Sequence, residues 1–230
     1  MSNSRLIDYI KISPNSSNPR NNTINKITIH HMAGNLSVES CGEVFADISH
    51  QASSNYAIDS NGRIGMYVEE KNRAWTSSSS DNDNQAVTIE VANDTLGGDW
   101  HVSDIALEKL IELCIDICIR NNINKLNYTG DSKGNLTMHC YFAKTVCPGE
   151  YLKSKFPYIA KKVNKKLESI YKNNTPDLWA EKSVAWSIEN KILFGDEYGN
   201  YKLHDYCTRQ EMIVFIYRMY KNIKKCKKEI

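Results

Sequence analysis

Between Ile24 and His30 the chain alternates, with Ile27 and Ile29 on one side and Thr28 and His30 on the other. That period of two is the signature of a β-strand with unlike faces. Ser54 to Ile58 and Ile64 to Val68 read as two further strands, joined by an Asn61-Gly62 turn that favours a hairpin. Ala86 to Val91 alternates again, with Val87, Ile89 and Val91 on one face and Thr88 and Glu90 on the other. Helical spacing separates these runs. Ser37 caps a predicted helix over Val38 to Ile48 that buries Cys41, Val44, Phe45 and Ile48. Ser103 caps a longer one over Asp104 to Asn121, with Leu107, Leu110, Ile111, Cys114, Ile117 and Cys118 as its stripe. A short β segment and turn over Leu126 to Asn135 lead to the stretch from Thr137 to Gly149, and a helix over Glu150 to Lys172 follows, with a break expected near Phe156-Pro157. The polar run Thr76 to Asn84 predicts a loop, and residues 1 to 25 a surface-hugging lead-in. Strands alternating with helices predict an α/β domain, one central mixed β-sheet flanked by helices.

After Asn173-Asn174-Thr175-Pro176-Asp177 the pattern changes to helix, loop, helix. Ala180 to Asn190 turns Val184, Ala185, Trp186 and Ile188 inward. Gly195 to Asn200 is turn-rich and lacks the acidic spacing of an EF-hand. Thr208 and Glu211 form a capping box, ahead of a stripe of Met212, Phe215, Ile216 and Met219. The expected division is a domain over 1–158, a basic, solvated linker helix over 159–174, and a small all-α module over 175–230.

The 230 residues carry a net charge of +2, too little to argue for nucleic acid, and no apolar run is long enough to span a membrane. The first residues lack the apolar core of a secretion signal. Seven cysteines without disulfide-like spacing point to a reduced chain, with Cys114 and Cys118 in the core.

The chemistry gathers around His139 and Cys147, a histidine and a cysteine eight positions apart ahead of Pro148-Gly149. Both are good zinc ligands, and a third must come from elsewhere. The strand ending in His30-His31 offers one, and alternation lets only one of the two join a shared site. Glu90 is an isolated acid in an apolar strand, a residue equally at home on an exposed strand face.

Four motifs in order, Ile29-His30-His31, Ser54-Asn55-Tyr56-Ala57-Ile58-Asp59 with Asn61-Gly62, Thr88-Ile89-Glu90, and His139 to Cys147-Pro148, resemble the type 2 N-acetylmuramoyl-L-alanine amidases, a family related to peptidoglycan recognition proteins and phage endolysins. The resemblance covers residues 20 to 158. It selects His30, with His139 and Cys147, as the ligands of Zn2+, leaving His31 as a packed or supporting histidine. It implies a zinc-activated water, with the fourth ligand position open, and hydrolysis of the amide between N-acetylmuramic acid and L-alanine. One branch of the family uses a Tyr and a Lys where this chain has Ser54 and Thr145; the other uses a Glu that Glu90 matches. Thr145 then either hydrogen-bonds a tetrahedral intermediate or turns the loop. Asn55, Trp75 and Asn93 are carried as candidate substrate contacts, with the Thr76 to Asn84 run at the groove rim. Rival readings are a peptidoglycan-binding protein without activity, which usually lacks the Cys, and a zinc peptidase.

Trp179-Ala180, Ala185 to Asn190, Gly195-Asp196 and Thr208-Arg209-Gln210-Glu211-Met212 resemble one surface-layer-homology repeat. That implies secondary cell-wall polysaccharide as a ligand, near Arg209. Such repeats usually come in threes and one is visible, so the module is expected either to pack on the catalytic domain or to associate with copies from other chains. Together these readings describe an endolysin made in the cytoplasm without a signal peptide and released to the wall, or an autolysin exported by another route.

Overall fold

The computed structural model describes residues 2–196 and 199–226. The chain divides into a unit over Met1–Lys165 and a smaller one over Lys166–Ile230.

In the first unit, eight strands are β1 (Tyr9–Ile10), β2 (Ser16–Ser17), β3 (Lys26–His31), β4 (Tyr56–Ile58), β5 (Ile64–Met66), β6 (Arg73–Ala74), β7 (Ala86–Val91) and β8 (Leu136–Met138). Six form one sheet in the order β1-β5-β4-β7-β3-β8, and β2 with β6 makes a small antiparallel ribbon. Within the large sheet only the β4–β5 hairpin is antiparallel; the other four pairings are parallel, so the sheet is mixed as expected. Gly62 in the hairpin turn has a φ of 82°, which its missing Cβ permits.

Alternation along β3, β7 and β8 divides the sheet faces. Ile27, Ile29, Val87, Ile89, Val91, Leu136 and Met138 fill one face and are fully buried. Helix α3 (Asp104–Arg120) packs against β4 and β7, with Leu110, Leu113, Cys114, Ile117 and Cys118 in the core. The other face carries Thr28, His30, Thr88, Glu90 and Thr137. Helix α1 (Val38–Ala46), capped by Ser37, covers its far end by setting Cys41 and Phe45 on Ala57 and Tyr67. Val44 and Ile48, expected in that core, are 38% and 69% exposed, because α1 stops at Ala46 and buries a narrower stripe.

Three expectations need correction. Thr76 to Asn84 is not an open loop: Ser79 caps a short helix, α2 (Ser80–Gln85), and Asp83 is buried, accepting from the backbone N–H groups of Thr76 and Ser77. Helix α4 (Gly149–Asn174) runs on through Pro157 without ending. Its stretch over 159–174 is not a solvated linker: Ile159, Val163, Leu167 and Ile170 are buried at helical spacing, and the lysines occupy the opposite face. Counting charges hid an apolar stripe that recurs every three or four residues. The lead-in is likewise part of the fold, since β1 adds to the sheet edge beside β5.

In the second unit, α5 (Glu181–Glu189) and α6 (Arg209–Cys226) form the expected helix pair. The Thr208–Glu211 capping box is present, the Thr208 Oγ1 accepting from Glu211 N at 3.2 Å and the Glu211 carboxylate from Thr208 N at 2.8 Å. In the turn-rich loop ahead of it, Glu197 and Tyr198 lie outside the described residues.

Arg20 is a hidden tie in the first unit. Its buried guanidinium donates to the carbonyl oxygens of Glu70, Asn72, Asp83, Asn84 and Ala86, joining the segment after β5 to the start of β7. Burial lowers its pKa to about 10, so it stays charged at neutral pH. Arg20→Ala strands those acceptors, and chemical denaturation should show a loss of about 3–5 kcal/mol.

Candidate active site

Parallel pairing with no stagger sets the site. His30 lies opposite Glu90 across β3 and β7, and β8 delivers His139 one step beyond the Ile29–Met138 pair. Glu90, His30 and His139 therefore stand side by side on the polar face. The His30 and His139 ring centroids are 4.6 Å apart, and Glu90 Oε1 is 3.8 Å from His30 Nδ1. Beneath them lie hydroxyls: Thr28 Oγ1 and Thr137 Oγ1 are 2.9 Å apart, and Asn82 donates to Thr28 Oγ1 at 2.9 Å.

Cys147 arrives by a loop. Its Sγ accepts from His31 N at 3.4 Å, its carbonyl from Cys140 N at 3.1 Å, and its N–H donates to Thr145 Oγ1 at 3.2 Å. One ligand atom each from His30, His139 and Cys147 then lies within 4.8 Å of the others. Gly149 lets the chain leave this loop: its φ is 83°, and an added Cβ would come within 2.7 Å of Trp100 Cβ.

Burial governs the electrostatics. It lowers the pKa of His30 well below the ordinary histidine value, helped by His139 and His31, and it lowers that of His139 as well. Both imidazoles are therefore neutral at pH 7, the form that binds a metal. Burial lifts Glu90 to about 8 and holds the Cys147 thiol well above its usual range. Five buried side-chain polar atoms lack a hydrogen-bond partner among the described residues, and three belong to this row: His30 Nε2, His139 Nε2 and Glu90 Oε2. Such atoms cost stability unless something binds them. Two neutral imidazoles, a thiol and an unpaired carboxylate oxygen fit a tetrahedral cation such as zinc with a proton acceptor beside it.

The remaining candidates divide. His31 faces the other side, its Nδ1 3.1 Å from Asn93 Oδ1 and its ring edge-on to Trp100 at 5.0 Å. Asn93 is fully buried and spends its amide on Trp100 O, and Asn55 is fully buried between Val68 O and Thr88 N. Neither side chain has a face to offer a substrate; both bridge backbone where strands end. Trp75 is half-buried, its indole N–H donating to Ser17 Oγ at 2.9 Å. Thr145 is half-buried at the Cys147 turn, where its oxygen accepts one bond while its hydroxyl hydrogen remains available. Arg209 is exposed at the start of α6, in the second unit. Sequence reasoning missed the Thr28–Thr137–Asn82 layer; its signal was the alternation itself, which places Thr28 and Thr137 two residues before His30 and His139.

The family signature described as N-acetylmuramoyl-L-alanine amidase matches residues 20–150. The chain belongs to the N-acetylmuramoyl-L-alanine amidase family. Those residues contain β3, β7, β8 and every member of the row. No curated protein matches the chain. Among solved structures, the PlyG catalytic domain is 16% identical with a TM-score of 0.54, covering 69% of this chain and 93% of that one. PlyL is 15% identical with a TM-score of 0.53, covering 68% and 96%. The endolysin N-acetylmuramoyl-L-alanine amidase LysCS from Clostridium intestinale URNW is 19% identical with a TM-score of 0.50, covering 72% and 98%. These likenesses establish a shared amidase fold. Among the described residues no helix is long and apolar enough to cross a membrane, and Cys41, Cys114, Cys118, Cys140, Cys147 and Cys207 are free thiols.

Gly149→Ala in this amidase forces a side chain into a left-handed residue against Trp100. It should cost about 1–3 kcal/mol in thermal or denaturant unfolding, while Gly97→Ala, at a similar φ of 80° with nothing within 4 Å, should cost less.

Proposed function

We propose that this protein is a zinc-dependent peptidoglycan hydrolase of the endolysin type, cutting the amide between the lactyl group of N-acetylmuramic acid and L-alanine. The observation that carries the reading is the cluster of unpartnered buried atoms on His30, His139 and Glu90, with Cys147 completing the ligand set. His30, His139 and Cys147 would hold the metal. A zinc ion there supplies a Lewis acid and lowers the pKa of a bound water.

The protein's own groups do the rest. Glu90, lifted to about 8, sits close to the operating pH and can both accept and release a proton. It takes the proton of the attacking water, whose oxygen bonds to the lactyl carbonyl carbon. The carbon–nitrogen bond then breaks, and Glu90 returns the proton to the departing amine of L-alanine. Thr145, whose oxygen accepts from Cys147 N, would use its hydroxyl hydrogen to donate to the developing oxyanion. Trp75 and the rim held by Ser77 and Asp83 would bound the substrate groove. The second unit would bind secondary cell-wall polysaccharide near Arg209, as a surface-layer-homology repeat does, and keep the catalytic unit at its substrate.

Purified Gram-positive wall is the test. Glu90→Gln should lower the rate at which new N-terminal alanine appears by about 10²–10⁴-fold while one zinc per chain is retained. Cys147→Ala should lose the zinc as well. Neither variant should release reducing sugar ends. Full activity in Glu90→Gln would remove Glu90 from the mechanism, and new N-termini other than alanine would make the protein a peptidase. Separately, Arg209→Ala should weaken co-sedimentation with wall while hydrolysis of a soluble muropeptide stays unchanged. Unchanged sedimentation would place the wall-binding site elsewhere.

A further inference from the structure

Helix α6 presents its apolar residues outward. The side chains turned toward the rest of the second unit are Phe215, Arg218 and Asn222, at spacings of three and four. Two of these three are polar. Arg218 donates to Ile192 O at 2.8 Å and lies over the Phe194 ring at 4.6 Å, and Asn222 donates to Asn190 O. Met212, Ile213, Val214, Ile216, Tyr217, Met219, Tyr220 and Ile223 are all between 41% and 65% exposed. The stripe expected from periodicity, Met212, Phe215, Ile216 and Met219, thus contributes only Phe215 to the interior.

The outward residues have an order of their own. Met212, Ile216, Met219 and Ile223 are spaced four, three and four apart, the 3.5-residue repeat of a helix–helix seam. Ile213, Tyr217 and Tyr220 repeat the same spacing alongside. A helix apolar over most of its circumference belongs in an interior. Taking roughly 200 Å² for each large side chain, the eight exposures leave roughly 800 Å² of α6 open, comparable to the area that one partner buries in a standard interface. The unit's own packing is also incomplete: a cleft of 340 Å³, lined by Trp179, Val184, Ile192, Leu193 and Phe215 among others, opens between the two helices.

We infer that the Met212–Ile216–Met219–Ile223 seam of α6 is a self-association surface, whose occupant is the same helix of a second copy of this chain. A polysaccharide is a poor occupant, because its hydroxyls would meet aliphatic side chains with no polar partner. A second α6 matches the surface in length, in apolar character and in seam spacing, and Lys221 and Lys224, lying over the Tyr217 and Tyr220 rings, fall outside the seam. Association of this kind couples two wall-binding units and two catalytic units, which raises retention on a polymeric substrate by avidity.

The test is sedimentation equilibrium of the full-length protein from about 1 to 100 µM, a range spanning ordinary self-association. The expected result is a mass of two chains or a larger whole multiple at the upper end, falling to one chain in Ile216→Asp with Met219→Asp. Because buried charge can unfold a helix, Ile216→Ala with Met219→Ala serves as the second variant, and far-UV circular dichroism checks that helix content is kept. It should weaken association at least tenfold. Hydrogen exchange across residues 209–224 should also slow as the concentration of the natural protein rises. A wild-type mass of one chain throughout overturns the inference, whatever else covers α6. So does a multimer that both variants leave intact. Neither result touches the proposed hydrolysis, which is read from released alanine.

Discussion

The unstaggered parallel pairing of β7, β3 and β8 is the constraint on which the site rests. It sets Glu90, His30 and His139 in one row, and no loop conformation intervenes for Glu90 or His30. A one-residue slip of β3 would turn His30 into the apolar core and bring His31 to the site face. The opposite faces of the same strands prevent it, because Ile27, Ile29, Val87 and Ile89 would then exchange with threonines and ionisable groups. Hydrophobic burial on one side of the sheet thereby fixes the geometry of the row on the other. The desolvation that lowers the histidine pKa values and lifts Glu90 comes from the same packing.

The row was legible because alternation is a local signal. Thr28 and His30, Thr88 and Glu90, and Thr137 and His139 each sit two apart, so each pair shares a face wherever the strands go. What brings the strands together is not local. β7 pairs with both β3 and β4, so β4 and β3 flank it although the helix α1 separates them in sequence, and β1 joins the sheet beside β5. Strands of two residues such as β1, β2 and β6 have too few positions for alternation to register. Asn55 and Asn93 misled for a related reason: an asparagine near a strand end reads as an available polar group, whereas here each one satisfies backbone where pairing stops. Arg20 carried no sequence signal at all, since its five carbonyl partners, from two separate segments, meet only in the fold.

Cys147 shows a different dependence. Its position comes from contacts with His31 N, Cys140 N and Thr145, and from the left-handed Gly149 that turns the chain into α4. A loop held by that many bonds is rigid enough to carry a ligand, yet nothing in its sequence other than Pro148-Gly149 announces a turn. His31 contributes through its backbone, and its side chain is occupied on the far face with Asn93 and Trp100. The adjacent histidines thus divide the work, one side chain at the site and one main-chain N–H on the cysteine sulfur.

The second unit reverses the usual reading of amphipathic helices. Periodicity finds an apolar stripe but does not say whether it meets the same chain or another one. In α4 the stripe through Ile159, Val163, Leu167 and Ile170 is buried, and the lysines that dominated the composition lie outside it. In α6 the stripe through Met212, Ile216, Met219 and Ile223 is open, and polar Arg218 and Asn222 occupy the inward positions instead. The inward pair is specific, since each donates to a carbonyl at the end of α5 or just beyond it. They orient α6 with its aliphatic side outward, where the seam residues stay open among the described residues. A small unit has little core of its own, and in the proposed association a second copy would supply the missing apolar surface.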